Sequence, residues 1–380
     1  MDMRSDAEWS GDGRKVMAEA LHREFCMRSY DITVVICTYN RCHDLPSALD
    51  SVLAQRDAPS YEVIVVDNNS TDATAAVVHA RRAAHPNLRY VLEPAQGLPN
   101  ARNAGILSAT SPLIAFMDDD IVAADTWVRS LYQAFQQYPD ADCVGGPVLP
   151  RWPPSGKPIW FSDLQTAPLA LQDKGQRPVF VNRQNAAPCL IGANLAFRKS
   201  TFAKSGLFDP EYTRTQDREL QLRLWRAGGL GVYVPDIVTH VDVPTERLTK
   251  AYFRLWYRRA GRFHSRMRLL EVLDAAGHMV PPPPAASCWL GVPPYIYRQL
   301  GTALAGVIGS ILGRNGQRAA YYENRVHYLS NYIAERWREE GVTVRRGFAE
   351  LDRLARRRGR RRPASATPVP VAEVGKARPE

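Results

Sequence analysis

The sequence predicts an α/β protein: a mostly parallel, doubly wound sheet flanked by helices, with a helical extension behind it. Three observations predict this. Four short apolar runs, at 31–37, 61–66, 87–92 and 112–117, alternate with segments of helical periodicity. The runs are rich in β-branched residues and barely alternate, the mark of strands covered on both faces. The chain has 380 residues, 45% hydrophobic and 23% charged, which is ample for a core without disulfide or metal staples.

Residues 1–30 read as a polar lead-in with one short helix near 15–25. The first strand is DITVVIC (31–37), and Leu45, Leu49, Val52 and Leu53 then recur at helical spacing. YEVIVV (61–66) is the second strand. DNNSTDATAAVVHARRAA (67–84) opens with Asp and Ser capping signals and turns helical. NLRYVL (87–92) is the third strand, and GLPNARNAGILSAT (97–110) is a loop entering a helix. PLIAFM (112–117) is the fourth strand and runs directly into Asp118, Asp119 and Asp120. Such alternation implies right-handed parallel crossovers. A helix is predicted over 125–140 and a strand over 143–149. Residues 150–185, rich in Pro, Trp and polar groups, read as a long loop or lid. A strand over 192–198 precedes a helix over 217–227 that Gly228 and Gly229 end. Short extended pieces at 233–235 and 237–240 lead to a long basic, aromatic helix over 247–271. A proline break at 281–284 precedes two more helices over 295–339. The last twenty or so residues, rich in Ala, Pro and Arg, read as disordered.

Composition narrows the function classes. The six cysteines form no C-x-x-C and none has zinc-finger spacing, which argues for reduced thiols in a cytoplasmic protein. The N-terminus has acids and no apolar signal region. The apolar stretch between Arg298 and Arg314 is only 15 residues, too short to span a bilayer. Net charge is +10, but seven arginines lie in 353–362, and without them it falls to +3. The basic character thus belongs largely to one tail. No nucleic-acid-binding module accompanies that tail, so no nucleic-acid partner is expected.

Ligands of doubly wound sheets sit beyond the carboxyl ends of the strands. That rule selects Thr38, Tyr39 and Asn40 after the first strand, Asp67 after the second, and Asp118 to Asp120 after the fourth. Three adjacent carboxylates repel one another, and a hard divalent cation with oxygen ligands compensates. Alternate residues of an extended chain share a face, so Asp118 and Asp120 can share one ion, Mn²⁺ or Mg²⁺. Asp67 can accept from a base or ribose, and Arg102, at the start of a helix, can reach a phosphate. No G-x-G-x-x-G follows the first strand and no P-loop occurs, which argues against dinucleotide and P-loop chemistry.

Six segments in order resemble the family 2 glycosyltransferases of the GT-A fold. They are VVICTYNR (34–41), VIVVDNNSTD (63–72), GLPNARNAGI (97–106), IAFMDDDIVAADTWV (114–128), GANLAFRKSTFAKSGLFDPEY (192–212) and TQDRELQLRL (215–224). The resemblance covers about 32–240. It implies a Rossmann-like GT-A domain over 31–245; the residues behind it read as a helical, membrane-associated extension over 246–350 and a basic tail over 351–380. It implies that Thr38, Tyr39, Asn40 and Arg102 line a nucleotide pocket and that Asp67 reads the base, usually uracil. Asp118 and Asp120 match the metal-binding D-x-D, with Asp119 beside the donor. Gly192, Ala193 and Asn194 border the sugar and acceptor, and His240 matches a loosely placed further metal ligand. Asp217 matches the base that deprotonates the acceptor hydroxyl, though the family's usual Glu-Asp is here Gln216-Asp217.

The expected activity is inverting sugar transfer from a nucleoside-diphosphate sugar, UDP-sugar favoured, to a glycan or lipid-linked acceptor in surface glycan or glycolipid synthesis. Neither a Q-x-x-R-W signature nor a membrane span is present, which argues for single-sugar transfer rather than polymer extrusion. The basic, aromatic stretch 245–271 and the apolar segments of 290–312 suit peripheral attachment to an anionic cytoplasmic membrane face. Two other readings compete. A nucleotidyltransferase would show a Gly-rich, basic loop where this chain has TYNR. A noncatalytic sugar-nucleotide-binding scaffold would draw its support from Gln216.

Overall fold

The computed structural model describes residues 30–342. The predicted N-terminal helix, Cys26 and the arginine tail lie outside them.

Strand β1 (Ile32–Thr38) pairs in parallel with β2 (Tyr61–Asp67), across helix α1 (Leu45–Leu53). Helix α2 (Thr74–Arg82) leads to β3 (Leu88–Leu92), parallel to β2. Helix α3 (Leu98–Ser108) then crosses to β4 (Leu113–Asp118), which pairs in parallel with the other edge of β1. Alternate β1 side chains divide the core. Ile32, Val34 and Ile36 pack on one face with Leu45, Leu49, Trp127 and Leu131. Val35 packs on the other with Ala101, Ile106, Leu220 and Leu224. Each fully buried aliphatic side chain contributes about 1.5–3 kcal/mol relative to exposure. Gly105 of α3 lies against Val35, and any β-carbon there would overlap that side chain. The glycine lets α3 approach the sheet, which fixes Arg102 at its open end.

The remaining elements are β5 (Ile121–Ala123), α4 (Trp127–Gln137), β6 (Cys143–Gly145), β7 (Val148–Arg151), β8 (Val179–Val181) and β9 (Asn194–Arg198). They continue with α5 (Thr201–Ser205), α6 (Gln216–Arg226), β10 (Gly231–Tyr233) and β11 (Thr239–Asp242). The main sheet has eight strands in the order β3-β2-β1-β4-β9-β6-β10-β8. β9 and β8 run against their neighbours and the other six run together. The sheet is therefore mostly parallel, as predicted, but mixed in its second half. A smaller sheet, β5-β11-β7, sits beyond β4.

The strand predicted over 143–149 is two strands in two sheets. Gly145, Gly146 and Pro147 carry the chain between them, and Gly146 lies so close to the Ile237 carbonyl that a side chain would overlap it. Residues 152–178 form no strand and only two short 3-10 turns, Asp163–Gln165 and Ala167–Leu169, consistent with the predicted loop.

The C-terminal part is helical. Helix α7 (Lys250–Arg266) is separated from α8 (Leu269–Val272) by Arg268 in the left-handed region, so the predicted long helix is broken. Helices α9 (Pro294–Leu312) and α10 (Gly316–Glu339) form a hairpin, and α10 packs along α7. Val292, Ile296, Leu329, Tyr332 and Ile333 make its small core. Some of the polar residues of α7 reach partners on α10. Arg254 pairs with Glu323, and Arg262 and Arg266 both reach Glu335, which is 4% exposed. Phe253 is buried against Trp160 and Phe161. Part of 245–271 thus holds the helix to the rest of the fold, while Leu255, Arg258 and Arg259 on its outer side stay exposed. Among the described residues, no helix is long and apolar enough to cross a membrane.

Candidate active site

Two clefts open at the carboxyl ends of β1 and β4 and share Asp118 in their walls. The first, of about 780 Å³, is lined by Thr38, Tyr39, Asn68, Gly97, Asp118, Asp119 and Asp120, with Arg41, Arg214 and Arg247 around it. The second, of about 760 Å³, is lined by Arg102, Asp118, Gly192, Ala193, Gln216, Asp217 and Arg218. Trp256 of α7 and the turn at Ala167 and Ala170 border both.

Arg102 is the hinge between them. It is 3% exposed, and its Nη2 donates to Gly192 O at 3.0 Å and to Asp118 Oδ1 at 3.3 Å. Its guanidinium lies over the rings of Phe116 and Phe208, 5.5 and 5.4 Å from their centroids. Its Nη1 is buried without a partner. An unpaired buried donor costs about 1–3 kcal/mol, so a site that keeps one is shaped for an incoming acceptor. Gly192 is glycine for the same reason, since a β-carbon there would come within 2.7 Å of both terminal nitrogens of Arg102.

The three aspartates do not converge in the described state. Asp118 faces Arg102, and Asp120 Oδ2 accepts from Arg247 Nη2 at 2.9 Å. Burial pushes the Asp118 carboxyl upward against the pull of Arg102, with Asp120 and Asp217 adding to the rise. Burial and the Asp120 charge push Asp119 up to about 7. Concentrated negative charge in a partly exposed cleft, with oxygen donors only, fits a hard divalent cation that brings further ligands with it. Among the described residues, no three His, Cys, Asp or Glu side chains already form a metal cluster. The Thr38 hydroxyl, buried in the same cleft, also has no partner. Burial pushes the Cys37 thiol up to about 12, so it is neutral and no nucleophile.

Asp217 sits in the first turn of α6. Its Oδ2 accepts from Gly192 N–H and its Oδ1 from Arg218 N–H, both at 2.9 Å. Thr215, in the left-handed region at φ 57°, turns the chain into the helix so that this carboxylate meets the cleft. Gln216 beside it is 5% exposed, and its Oε1 has no partner.

Four predicted residues stand elsewhere. Asn194 is fully buried; it donates to Pro147 O and Ile237 O and accepts from Trp127 Nε1, so it ties the two sheets together instead of bordering a ligand. His240 does not line either cleft. Its neighbour Val241 does, and side chains alternate along β11, so the histidine faces the other side. Asn40 accepts from Thr71 N–H and holds the loop behind Tyr39. Asp67 accepts from Ser70 N–H and Tyr90 O–H, both at 2.8 Å, and lies one residue behind the cleft wall at Asn68. Arg247, Arg214 and Trp256 were not picked out as site residues. No local pattern marks them, because Arg247 meets Asp120 across 127 residues of chain. Arg41 carried a signal, the TYNR that follows β1.

Known proteins resemble this chain over the sheet domain. The model of the family described as Glycosyl transferase family 2 matches residues 33–205. The Glucosyl-dolichyl phosphate glucuronosyltransferase of Haloferax volcanii is 27% identical over 202 residues, which cover 50% of this chain and 59% of that protein. The chain thus spans well under two thirds of that relative. The Succinoglycan biosynthesis protein ExoM of Rhizobium meliloti is 27% identical over 251 residues, 62% of this chain and 74% of that one. Among solved structures, the mannosyltransferase PcManGT of Pyrobaculum calidifontis, in complex with GDP-Man and Mn²⁺, superposes with a TM-score of 0.52. Its identity is 19%, over 85% of this chain and 93% of that one, a likeness of fold.

Proposed function

Through residues 33–205 the chain belongs to glycosyl transferase family 2, and from that premise we propose that it moves a sugar from a nucleoside-diphosphate sugar to an acceptor hydroxyl, with inversion. The observation that carries the reading is the meeting of two clefts at Asp118, with a carboxylate, Asp217, on the far side. One cleft is acidic at its floor and ringed by arginines, as a metal-bound diphosphate requires. The other presents a base to an acceptor.

In this reading the base and ribose lie against Thr38, Tyr39 and Asn68, with Asp67 bracing that wall from behind and uracil the favoured base. Asp118 and Asp120 would hold Mn²⁺ or Mg²⁺, which when bound would offset charge on the leaving diphosphate. Arg102, whose Nη1 has no partner, and Arg247 are the cations that would face that charge. Asp217 takes the acceptor proton while its two backbone N–H donors fix the carboxylate's orientation. Attack from the Asp217 side, opposite the leaving group, is a single displacement and inverts the anomeric carbon, by the logic that separates base and leaving group in inverting glycosidases. Relatives named for succinoglycan biosynthesis and for a dolichyl phosphate substrate support a glycan or lipid-linked acceptor.

Calorimetry with UDP, GDP, dTDP and CDP, each with and without Mn²⁺, tests the donor half. We expect one nucleotide to bind tightly and only with metal. Asp118→Ala should weaken that metal-dependent binding at least about tenfold. Failure of every nucleotide to bind, with metal or without, rejects the reading.

A further inference from the structure

Helix α9 buries one side against α10 and leaves the other bare. Leu304, Ile308, Ile311 and Leu312 are 48%, 62%, 63% and 79% exposed, and they follow one another at i, i+4, i+7 and i+8. Gly301 and Gly309 on the same helix have open space where a side chain would stand. Exposed aliphatic residues scattered singly need no explanation, but a contiguous stripe does. The charge around the stripe is of one sign. From residue 275 to residue 322 the sequence holds no Asp or Glu, while Arg298, Arg314 and Arg318 flank the stripe at both ends. These three arginines are exposed. The nearest acid beyond, Glu323, is already paired with Arg254.

We propose that this face of the α9–α10 hairpin is a docking surface for an anionic lipid bilayer, with the aliphatic stripe in the acyl boundary and the arginines at the headgroups. A bilayer suits it better than a second copy of the chain, because the described hairpin surface offers no acidic patch to meet the arginine rim and an anionic headgroup layer does. The cavities also lead there. The acceptor cleft adjoins a trough of about 650 Å³ through Ala187, Arg218 and Leu269. The trough ends on Tyr295 and Gln299 of α9, where a smaller cavity containing Arg298 and Arg325 begins. A chain of openings thus runs from Asp217 to the helix that carries the stripe. The inference does not rest on the transfer reaction, since vesicle binding is read without donor or acceptor.

The test is flotation of the full chain with vesicles of phosphatidylcholine alone and of phosphatidylcholine with phosphatidylglycerol. The wild type should float with the anionic vesicles and little with the neutral ones. Ile308→Glu with Ile311→Glu, both at exposed positions, should leave the melting temperature unchanged and lower binding more than about tenfold. Arg298→Gln and Arg318→Gln should each weaken anionic binding about fivefold. Undiminished flotation of the double glutamate variant overturns the proposal and assigns any membrane affinity to another part of the chain. A wild type that ignores vesicles but forms a dimer, dissociated by the same two glutamates, overturns it in favour of an interface between copies.

Discussion

Asp217 is held as a base must be. Its two oxygens each accept one backbone N–H, from Gly192 and Arg218, which leaves lone pairs directed at the cleft and fixes the carboxylate plane. The neighbouring Gln216 keeps the local charge lower than a Glu-Asp pair would. Asp217→Asn retains the oxygen that one backbone donor needs and removes the proton acceptor. We expect transfer to fall by about 10²-fold or more while nucleotide affinity with Mn²⁺ stays unchanged. Single-turnover transfer beside calorimetric binding separates the two quantities, and normal transfer by this variant rejects the assignment.

Elements differed in how plainly the sequence announced them. β1, β2 and β4 are covered on both faces, so their apolar runs are unbroken and their ends nearly coincide with the predicted ones. β5, β8 and β10 are three residues long and exist only because distant partners pair with them. No local pattern carries that information. The same holds within the site: Asp118, Arg102 and Asp217 sit in dense local motifs, whereas Asn194 reads as a motif residue but acts as a buried tie. Helix α7 carries two kinds of surface. Its alternating Arg and aromatic residues resemble an interfacial face, yet Gly261 lies so close to the Tyr328 carbonyl of α10 that a β-carbon would overlap it. The glycine sets the helix spacing, and the basic residues pair with Glu323 and Glu335 across it. Gly261→Ala must push two backbones apart, which outweighs its better helix propensity. We expect a loss of about 1–3 kcal/mol in a denaturant titration, against a gain of under 1 kcal/mol if the helices were free to slide.

At the scale of the whole molecule, the C-terminal helices complete the site that the sheet begins. Arg247, just before α7, closes on Asp120, and Trp256 within it borders both clefts. The helices also build the trough that continues the acceptor cleft, with Leu269, Leu273 and Tyr295 in its walls and Ala187 at the junction. On the proposed reading, donor and acceptor occupy different clefts and meet along their shared wall, which includes Asp118. That division makes a separable prediction. Ala187 is exposed, and its carbonyl, which accepts from Arg218 at 2.9 Å, survives any side-chain change. Ala187→Trp places an indole across the junction without touching Thr38, Asp119 or Asp120. Nucleotide binding with Mn²⁺ should be unaltered, and hydrolysis of the donor by water should continue. Transfer to an acceptor long enough to occupy the trough should fall steeply through KM, while a short acceptor that fits within the first cleft should keep most of its rate. Equal loss for short and long acceptors would show that the trough does not carry the acceptor.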